Sequence, residues 1–333
     1  MSQHQSQTGE LPKGSIFAER FEVDKLLGEG TFGAVYRAYD LANARALVAF
    51  KILAPKPAAA KMESFRVSAR RFQIEIETTG AIESPRVPKL VGSGVDRNGT
   101  RYMALEYVDG RSLDQLIARW RRLDFPVIAR ITEHLLEALR ETHAIGMVHR
   151  DLKPQNIMVK RETGDTLLID FGIASTYQNV QGMQGADLTR DGVAVGTLPY
   201  IAPEMLLGSS ATPASDLFAL GLVLAELLSA KPAFADMDDR SKALSLLSQE
   251  PIVMPYRPDS PRWLIQLADA LLVKDPARRP ANAGQLIERI HAIKGDPLDD
   301  ESTGEFHAND LIRQRYDGDD FEPTGVVNIE DLL

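Results

Sequence analysis

The chain has 333 residues, 44% hydrophobic and 26% charged, with a formal net charge of -9 and no cysteine. This is ample apolar material for one large domain or two lobes plus tails. The missing thiols exclude disulfides, Cys-ligated zinc and thiol catalysis, which fits a reducing compartment and an expected cytoplasmic location. Residues 296–333 hold twelve Asp or Glu against two Arg, a net -10, so residues 1–295 carry +1. A near-neutral body with an acidic appendage gives no support to nucleic-acid binding.

Residues 1–14, MSQHQSQTGELPKG, are polar and lack the basic start and apolar core of a signal peptide. They read as a disordered leader. From Phe21 to Glu106 the pattern is strand-like: FEVDKLLGEG, GAVYRAYD, ALVAFKIL, PKLVGSGVD and TRYMALEYV, interrupted by one helical segment over Met62–Ala81. YVDGRS around Gly110 reads as a hinge, which sets expected limits of about 20–106, 106–110 and 111–294 for first lobe, hinge and second lobe.

Beyond the hinge, SLDQLIARW, PVIARITEHLLEALRETHAIG, SDLFALGLVLAELLSA, PRWLIQLADALLV and NAGQLIERIHAI carry apolar residues at helical spacing. Between the second and third lie short strand-like runs and a Gly-, Gln- and Asp-rich loop near 173–196. The most apolar run, LFALGLVLAELLSA, carries Glu226 and falls short of the roughly 18 to 20 residues that span a bilayer. It reads as a buried helix, and no membrane span is expected. Strands first and helices second predict an α+β chain of two lobes with a cleft between them.

GEGTFG, Gly28 to Gly33, matches G-x-G-x-x-G, but GAVYRAYD continues it as a strand, whereas a Rossmann loop opens a helix. A glycine-rich hairpin can lay backbone N–H groups over phosphates because no Cβ blocks the approach. Leu27, Gly28, Glu29, Gly30, Thr31, Phe32 and Gly33 are therefore candidate nucleotide contacts, with Val35 covering a planar base. Lys51, ending VAFK on an apolar strand, either snorkels to solvent or holds phosphate oxygens as an ammonium paired with a carboxylate. Glu75 in RRFQIEIETTG is the preferred partner and Glu77 the alternative; either also reads as a solvated helix-face residue.

MVHRDLKPQNIMVK, residues 147–160, sets charges among buried-strand residues, where unpaired they cost several kcal/mol each. Its HRDLKPQN, His149 to Asn156, resembles the catalytic loop of eukaryotic-type (Hanks-type) protein kinases. DFG follows at Asp170–Gly172 and APE at Ala202–Glu204, in the family's order and spacing. The resemblance covers about Phe21 to Ile293, is closest to bacterial serine/threonine members, and implies a bilobal kinase fold with a β-rich N-lobe holding one main helix and a larger α-helical C-lobe.

By that resemblance, ATP and Mg²⁺ (Mn²⁺ as the alternative ion) are implied, and residues are carried over one by one. Asp151 would accept or orient the substrate hydroxyl proton, and Lys153 would steady the moving phosphoryl group. Asn156 and Asp170 would hold the metal, and Lys51 would grip the other phosphates. Ala49 and Met158 would sandwich adenine with Val35, Glu106 and Val108 would offer hinge backbone groups, and Leu105 would be gatekeeper. His149 and Phe171 would pack in a spine linking the lobes.

Lys153, two residues after Asp151, resembles the serine/threonine version of the loop, and Thr197 in GTLPYIAPE would bond to Asp151 and Lys153. The APE segment favours protein substrates over small molecules. Glu204 would pair with Arg279, and Asp216 would brace the catalytic-loop backbone. Arg150 implies control by a phosphorylated residue of the activation loop, where Ser175, Thr176, Tyr177 and Thr189 are available. Thr189 is preferred, and Asp191 could supply charge unaided.

The kinase domain is expected over 15–295, followed by a flexible acidic tail over 296–333. The tail reads as a solvated extension, as a carrier of Thr303 and Thr324 as autophosphorylated docking sites for a phosphothreonine-reading partner, or through VVNIEDLL as a segment docking on the body. The rival to a catalyst is a pseudokinase scaffold, whose usual sign is loss of the lysine, the loop Asp or the DFG Asp; all three are present.

Overall fold

The computed structural model describes residues 11–30, 33–53, 62–171 and 200–294, except for the side chains of residues 30, 62–67 and 293–294. The expected Thr31, Phe32 and Gly172, the activation-loop hydroxyls with Thr189, Asp191 and Thr197, and the tail with Thr303 and Thr324 lie outside these residues. The chain divides into two compact units. One comprises residues up to Glu83 together with Pro88–Val108; the other comprises Ser84–Val87 and residues from Asp109 onward.

The first unit is a six-stranded antiparallel sheet in the order β1 (Ile16–Phe17), β2 (Phe21–Gly30), β3 (Gly33–Asp40), β4 (Ala46–Leu53), β6 (Arg101–Glu106) and β5 (Leu90–Val95). Alternation in ALVAFKIL decides its faces, because successive strand side chains point to opposite sides. Val48, Phe50 and Ile52 enter a core with Phe17, Phe21, Tyr36 and Ala104, in which the Phe21 and Phe50 rings stack 5.8 Å apart. Burying each such side chain contributes about 1.5–3 kcal/mol. Gly33 opens β3 because a Cβ there would lie 2.0 Å from the Ile52 carbonyl oxygen.

Helix α1 (Met62–Ala81) buries Phe72, Glu75, Ile76 and Thr79, the i, i+3, i+4, i+7 stripe of one helix face. Phe72 and Ile76 pack with Leu53 and Met103. Glu75 therefore sits within the packed stripe, and Glu77 is exposed.

The second unit holds a small sheet, β7 (Gly110–Ser112), β8 (Ile157–Lys160) and β9 (Thr166–Leu168), and seven α-helices among the described residues. These are α2 (Leu113–Trp120), α3 (Phe125–Ala144), α4 (Pro203–Leu206), α5 (Pro213–Ser229), α6 (Asp239–Leu247), α7 (Arg262–Leu271) and α8 (Ala283–Lys294). α5 is the axis: every residue from Ser215 to Ser229 is buried, and it packs on α3 and α7. Pro213 at its start has no N–H to leave unsatisfied, and the Thr212 N–H donates to Ser215 Oγ at 3.1 Å. Gly221 permits the close approach to α7, since a Cβ would meet Leu271 Cβ at 2.7 Å.

β1 and α6 go beyond the sequence expectations. Two residues of strand leave no periodic signal, and α6 buries little besides Leu246. Its start is written in the cap, where Asp238 accepts from the Ser241 N–H at 2.7 Å. Gly110, expected within a hinge, begins β7: a Cβ there would lie 2.0 Å from the Val159 carbonyl oxygen.

Candidate active site

In the strand-rich unit, register places the predicted nucleotide residues together. Ala49 pairs with Leu105, and Lys51 pairs with Val35 and Met103. Val35, Ala49, Lys51 and Leu105 thus share the sheet face opposite the Phe50 core, and all four are half-buried. Lys51 Nζ lies 2.6 Å from Glu75 Oε1, so the structure selects Glu75. Glu77 instead accepts from Gln73 Nε2 at 3.0 Å. Leu27, Gly28, Glu29 and Gly30 form the end of β2, and Gly28 pairs with Val35. A Cβ on Gly28 would meet nothing within 4 Å, so open space lies beside this backbone. Glu106 is exposed and its N–H donates to the Lys89 carbonyl at 2.9 Å, while Val108 is buried.

In the helical unit, the residues of the HRDLKPQN loop hold one another. Asp216, buried at the start of α5, accepts from the backbone N–H of His149 at 2.7 Å and of Arg150 at 2.8 Å. Arg150 has φ +71°, a left-handed conformation costing a non-glycine residue about 1–3 kcal/mol. The charge-assisted bonds from Asp216 hold it there.

Asp151 follows with its carboxylate fixed from two sides. Its Oδ2 accepts from Asn156 Nδ2 at 3.0 Å and lies 2.7 Å from Lys153 Nζ. Asn156 Nδ2 also donates to the Asp151 carbonyl at 2.8 Å, which orients the amide and leaves its Oδ1 as a metal-type donor.

Asp170 is set from both neighbours. On one side the Ile169 N–H donates to the Asn156 carbonyl at 2.9 Å, and His149 Nε2 lies 3.0 Å from the Ile169 carbonyl. Because His149 Nδ1 accepts from the Asp151 N–H at 3.3 Å, Nε2 carries the proton in this arrangement. On the other side the buried Phe171 ring meets the His149 ring edge-on, 4.7 Å between centroids. Asp170 itself is exposed with φ +59°, a second left-handed non-glycine residue beside the loop. Met158, on β8, is half-buried.

Asn156 and Asp170 offer hard oxygen donors only, and no group of three or more His, Cys, Asp or Glu among the described residues makes a metal cage. Two such donors fit Mg²⁺, which keeps waters and takes phosphate oxygens to complete its shell.

Glu204 and Arg279 form a bidentate pair, with both contacts at 2.7 Å. Arg279 also donates to the carbonyls of Val273, Lys274 and Ala214, and Ser215 Oγ donates to Glu204. Burial opposes ionisation of Glu204, but the hydrogen bonds from Arg279 and Ser215 outweigh it and hold the carboxyl below the ordinary glutamate range.

Two participants escaped the sequence reading. His143 Nε2 lies 2.9 Å from Asp216 Oδ2; its one local signal was a basic residue in the last turn of α3, next to the buried Thr142. Tyr200 OH donates to Glu226 Oε2 at 2.5 Å, and burial raises the pKa of both groups. A carboxylate inside the apolar run of α5 was visible in the sequence, its partner was not.

A family model described as the protein kinase domain matches residues 21–291. The serine/threonine-protein kinase PknA of Mycobacterium tuberculosis (strain ATCC 25618 / H37Rv) is 33% identical over 285 residues, covering 84% of this chain and 63% of PknA. Pkn3 of Myxococcus xanthus, a serine/threonine-protein kinase, is 33% identical over 287 residues, covering 84% of this chain and 51% of its own length. PknD of Mycobacterium tuberculosis (strain ATCC 25618 / H37Rv), also a serine/threonine-protein kinase, is 33% identical over 306 residues, covering 91% of this chain and 43% of its own length. The chain thus spans less than two thirds of the length of these relatives. Among the described residues no helix is long and apolar enough to cross a membrane.

Proposed function

Because this chain belongs to the protein kinase family, we propose that it transfers the γ-phosphoryl group of ATP to serine and threonine hydroxyls of protein substrates. The carrying observation is Asp151, its carboxylate held by Asn156 and Lys153 on a backbone that Asp216 fixes. Asp151 orients the substrate hydroxyl and takes its proton as the oxygen attacks the γ-phosphorus, while the bond from that phosphorus to the β–γ bridging oxygen breaks and ADP leaves. Lys153, bonded to the same carboxylate, faces the charge that develops on the phosphoryl oxygens. Lys51, aligned by Glu75, binds nucleotide phosphates, and Val35 and Ala49 cover the base. Asn156 and Asp170 would hold Mg²⁺. When bound, that ion neutralises charge on the phosphates.

The catalytic domain spans 15–295. Thr189 is the favoured activation-loop phosphosite, and Thr303 and Thr324 are recognition sites for a phosphothreonine-binding partner. The chain works in the cytoplasm.

The test incubates the full chain with MgATP labelled at the γ-phosphate and with casein or myelin-type proteins, beside Asp151→Asn. Phosphoserine and phosphothreonine formed by the native chain and not by the variant are expected. Nucleotide binding by calorimetry with no incorporation at all would overturn the reading in favour of a non-catalytic scaffold.

A further inference from the structure

In the helical unit, α7, Val273, the stretch Arg278–Pro280 and α8 line an open cavity of about 470 Å³. Trp263, Leu267 and Ile290 give it an apolar wall, and its lining includes three arginines and no carboxylate. Arg279 is neutralised by Glu204. Arg278 and Arg289 are exposed, and among the described residues neither forms an ion pair. Two uncompensated guanidinium groups over an apolar hollow suit an acidic segment with an apolar anchor.

Such a segment begins directly after α8. Residues 296–306, DPLDDESTGEF, hold five Asp or Glu and no Lys or Arg, and they end on Phe306. We propose that this segment docks in the cavity of its own chain, with Asp299, Asp300 and Glu301 at Arg278 and Arg289 and Phe306 against Trp263.

The geometry permits it. Ile290 lines the cavity four residues before α8 ends at Lys294. The five residues from Lys294 to Asp299 reach about 16–18 Å when extended, and the α8 lining lies one to two turns back, at 5.4 Å per turn. So short a tether gives the segment an effective concentration on the order of millimolar, enough for individually weak contacts to hold. The later tail, residues 307–333, contains both of the tail's arginines and has the longer tether.

The absence of native cysteine makes the test clean. Gln266, an exposed residue of the lining, and Ser302 are both changed to Cys in the full chain, and disulfide formation under mild oxidation is followed on non-reducing gels. The expected product is an intrachain bridge whose rate does not depend on protein concentration. The double reversal R278E/R289E should slow it about tenfold at low salt, within the range for two exposed pairs. Adding D299K/D300K/E301K should restore the rate. Equal rates in all three backgrounds would overturn the proposal. So would bridges that form only between chains and rise with concentration, which would assign the cavity to a second copy. Should R278E/R289E not fold, D299K/D300K/E301K alone decides, because it leaves the folded body untouched and must slow the bridge by itself.

Discussion

Lys51 and Glu75 meet at a 2.6 Å contact on the strand-rich unit, with the lysine side chain 31% exposed. Arg279 and Glu204, in the helical unit, share two contacts of 2.7 Å, and the arginine side chain is 0% exposed. Every further donor direction of Arg279 ends on a backbone carbonyl of Val273, Lys274 or Ala214. The planar guanidinium fork suits that saturation, whereas an ammonium is a compact charge with rotatable donors. The two pairs have the same formal chemistry and opposite designs. One keeps a cation within reach of solvent and hence of a ligand; the other locks α4 to the loop after α7 and offers nothing outward.

The comparison breaks most visibly at Asp151, which belongs to the accessible class. Asp151→Asn should lower kcat by about 10²–10⁴-fold while thermal unfolding stays close to native, because only the charge of a half-buried carboxylate changes. A large fall in the melting temperature would place Asp151 with the scaffold. Arg279→Ala should do the reverse, costing about 3–5 kcal/mol by leaving the buried Glu204 carboxylate without its cation. Glu204 ionises more readily folded than unfolded, so the pair's contribution is present above the ordinary carboxylate range and is lost as pH falls through it. Urea titrations should therefore show the gap between native chain and variant narrowing below about pH 4.

Much of this contrast was legible in the sequence because the motifs sit on strongly patterned elements. ALVAFKIL fixed the face of Lys51 by alternation, and α5 was plain from its apolar run. The choice between Glu75 and Glu77 was also within reach: Phe72, Ile76 and Thr79 define a stripe that contains position 75 and excludes 77. What stayed hidden depends on long-range meetings. His143 reaches Asp216 across 73 residues, and Tyr200 reaches Glu226 across 26, so no local period announces either bond. The short β1 and β7 are decided by the strands they pair with rather than by their own composition.

A second saturated network sharpens the scaffold side. His134 lies against Arg86, Arg130, Asp165 and Glu137, and its Nδ1 accepts from the Thr166 N–H at 3.1 Å. Burial, then the two arginines, push its pKa down to about 4. A depressed folded value means that stability is full above the unfolded pKa near 6.5 and drains away as pH falls toward 4. By linkage this amounts to about 2 kcal/mol between pH 7 and pH 5. His134→Asn, which keeps an acceptor near Thr166, should flatten that limb in urea unfolding at pH 7, 6 and 5. An unchanged slope would show that another group controls acid sensitivity.

Glu75→Gln asks the finest question. The amide oxygen can still accept from Lys51 Nζ at the Glu75 Oε1 position, so shape and packing in the stripe of α1 are kept and only the charge goes. If Glu75 serves to hold the ammonium for phosphate, the expected loss is about tenfold in kcat/KM for ATP, or about 1.4 kcal/mol, with the melting temperature nearly constant. Glu204→Gln supplies the control, because removing charge from a pair that faces nothing outside should lower the melting temperature and leave kcat/KM almost alone. The pair of variants is decisive in either direction. If Glu75→Gln melts early at full activity, the partial exposure of Lys51 is incidental and both ion pairs are scaffold; if Glu204→Gln loses activity at constant stability, saturation of a buried arginine is no guide to a structural role.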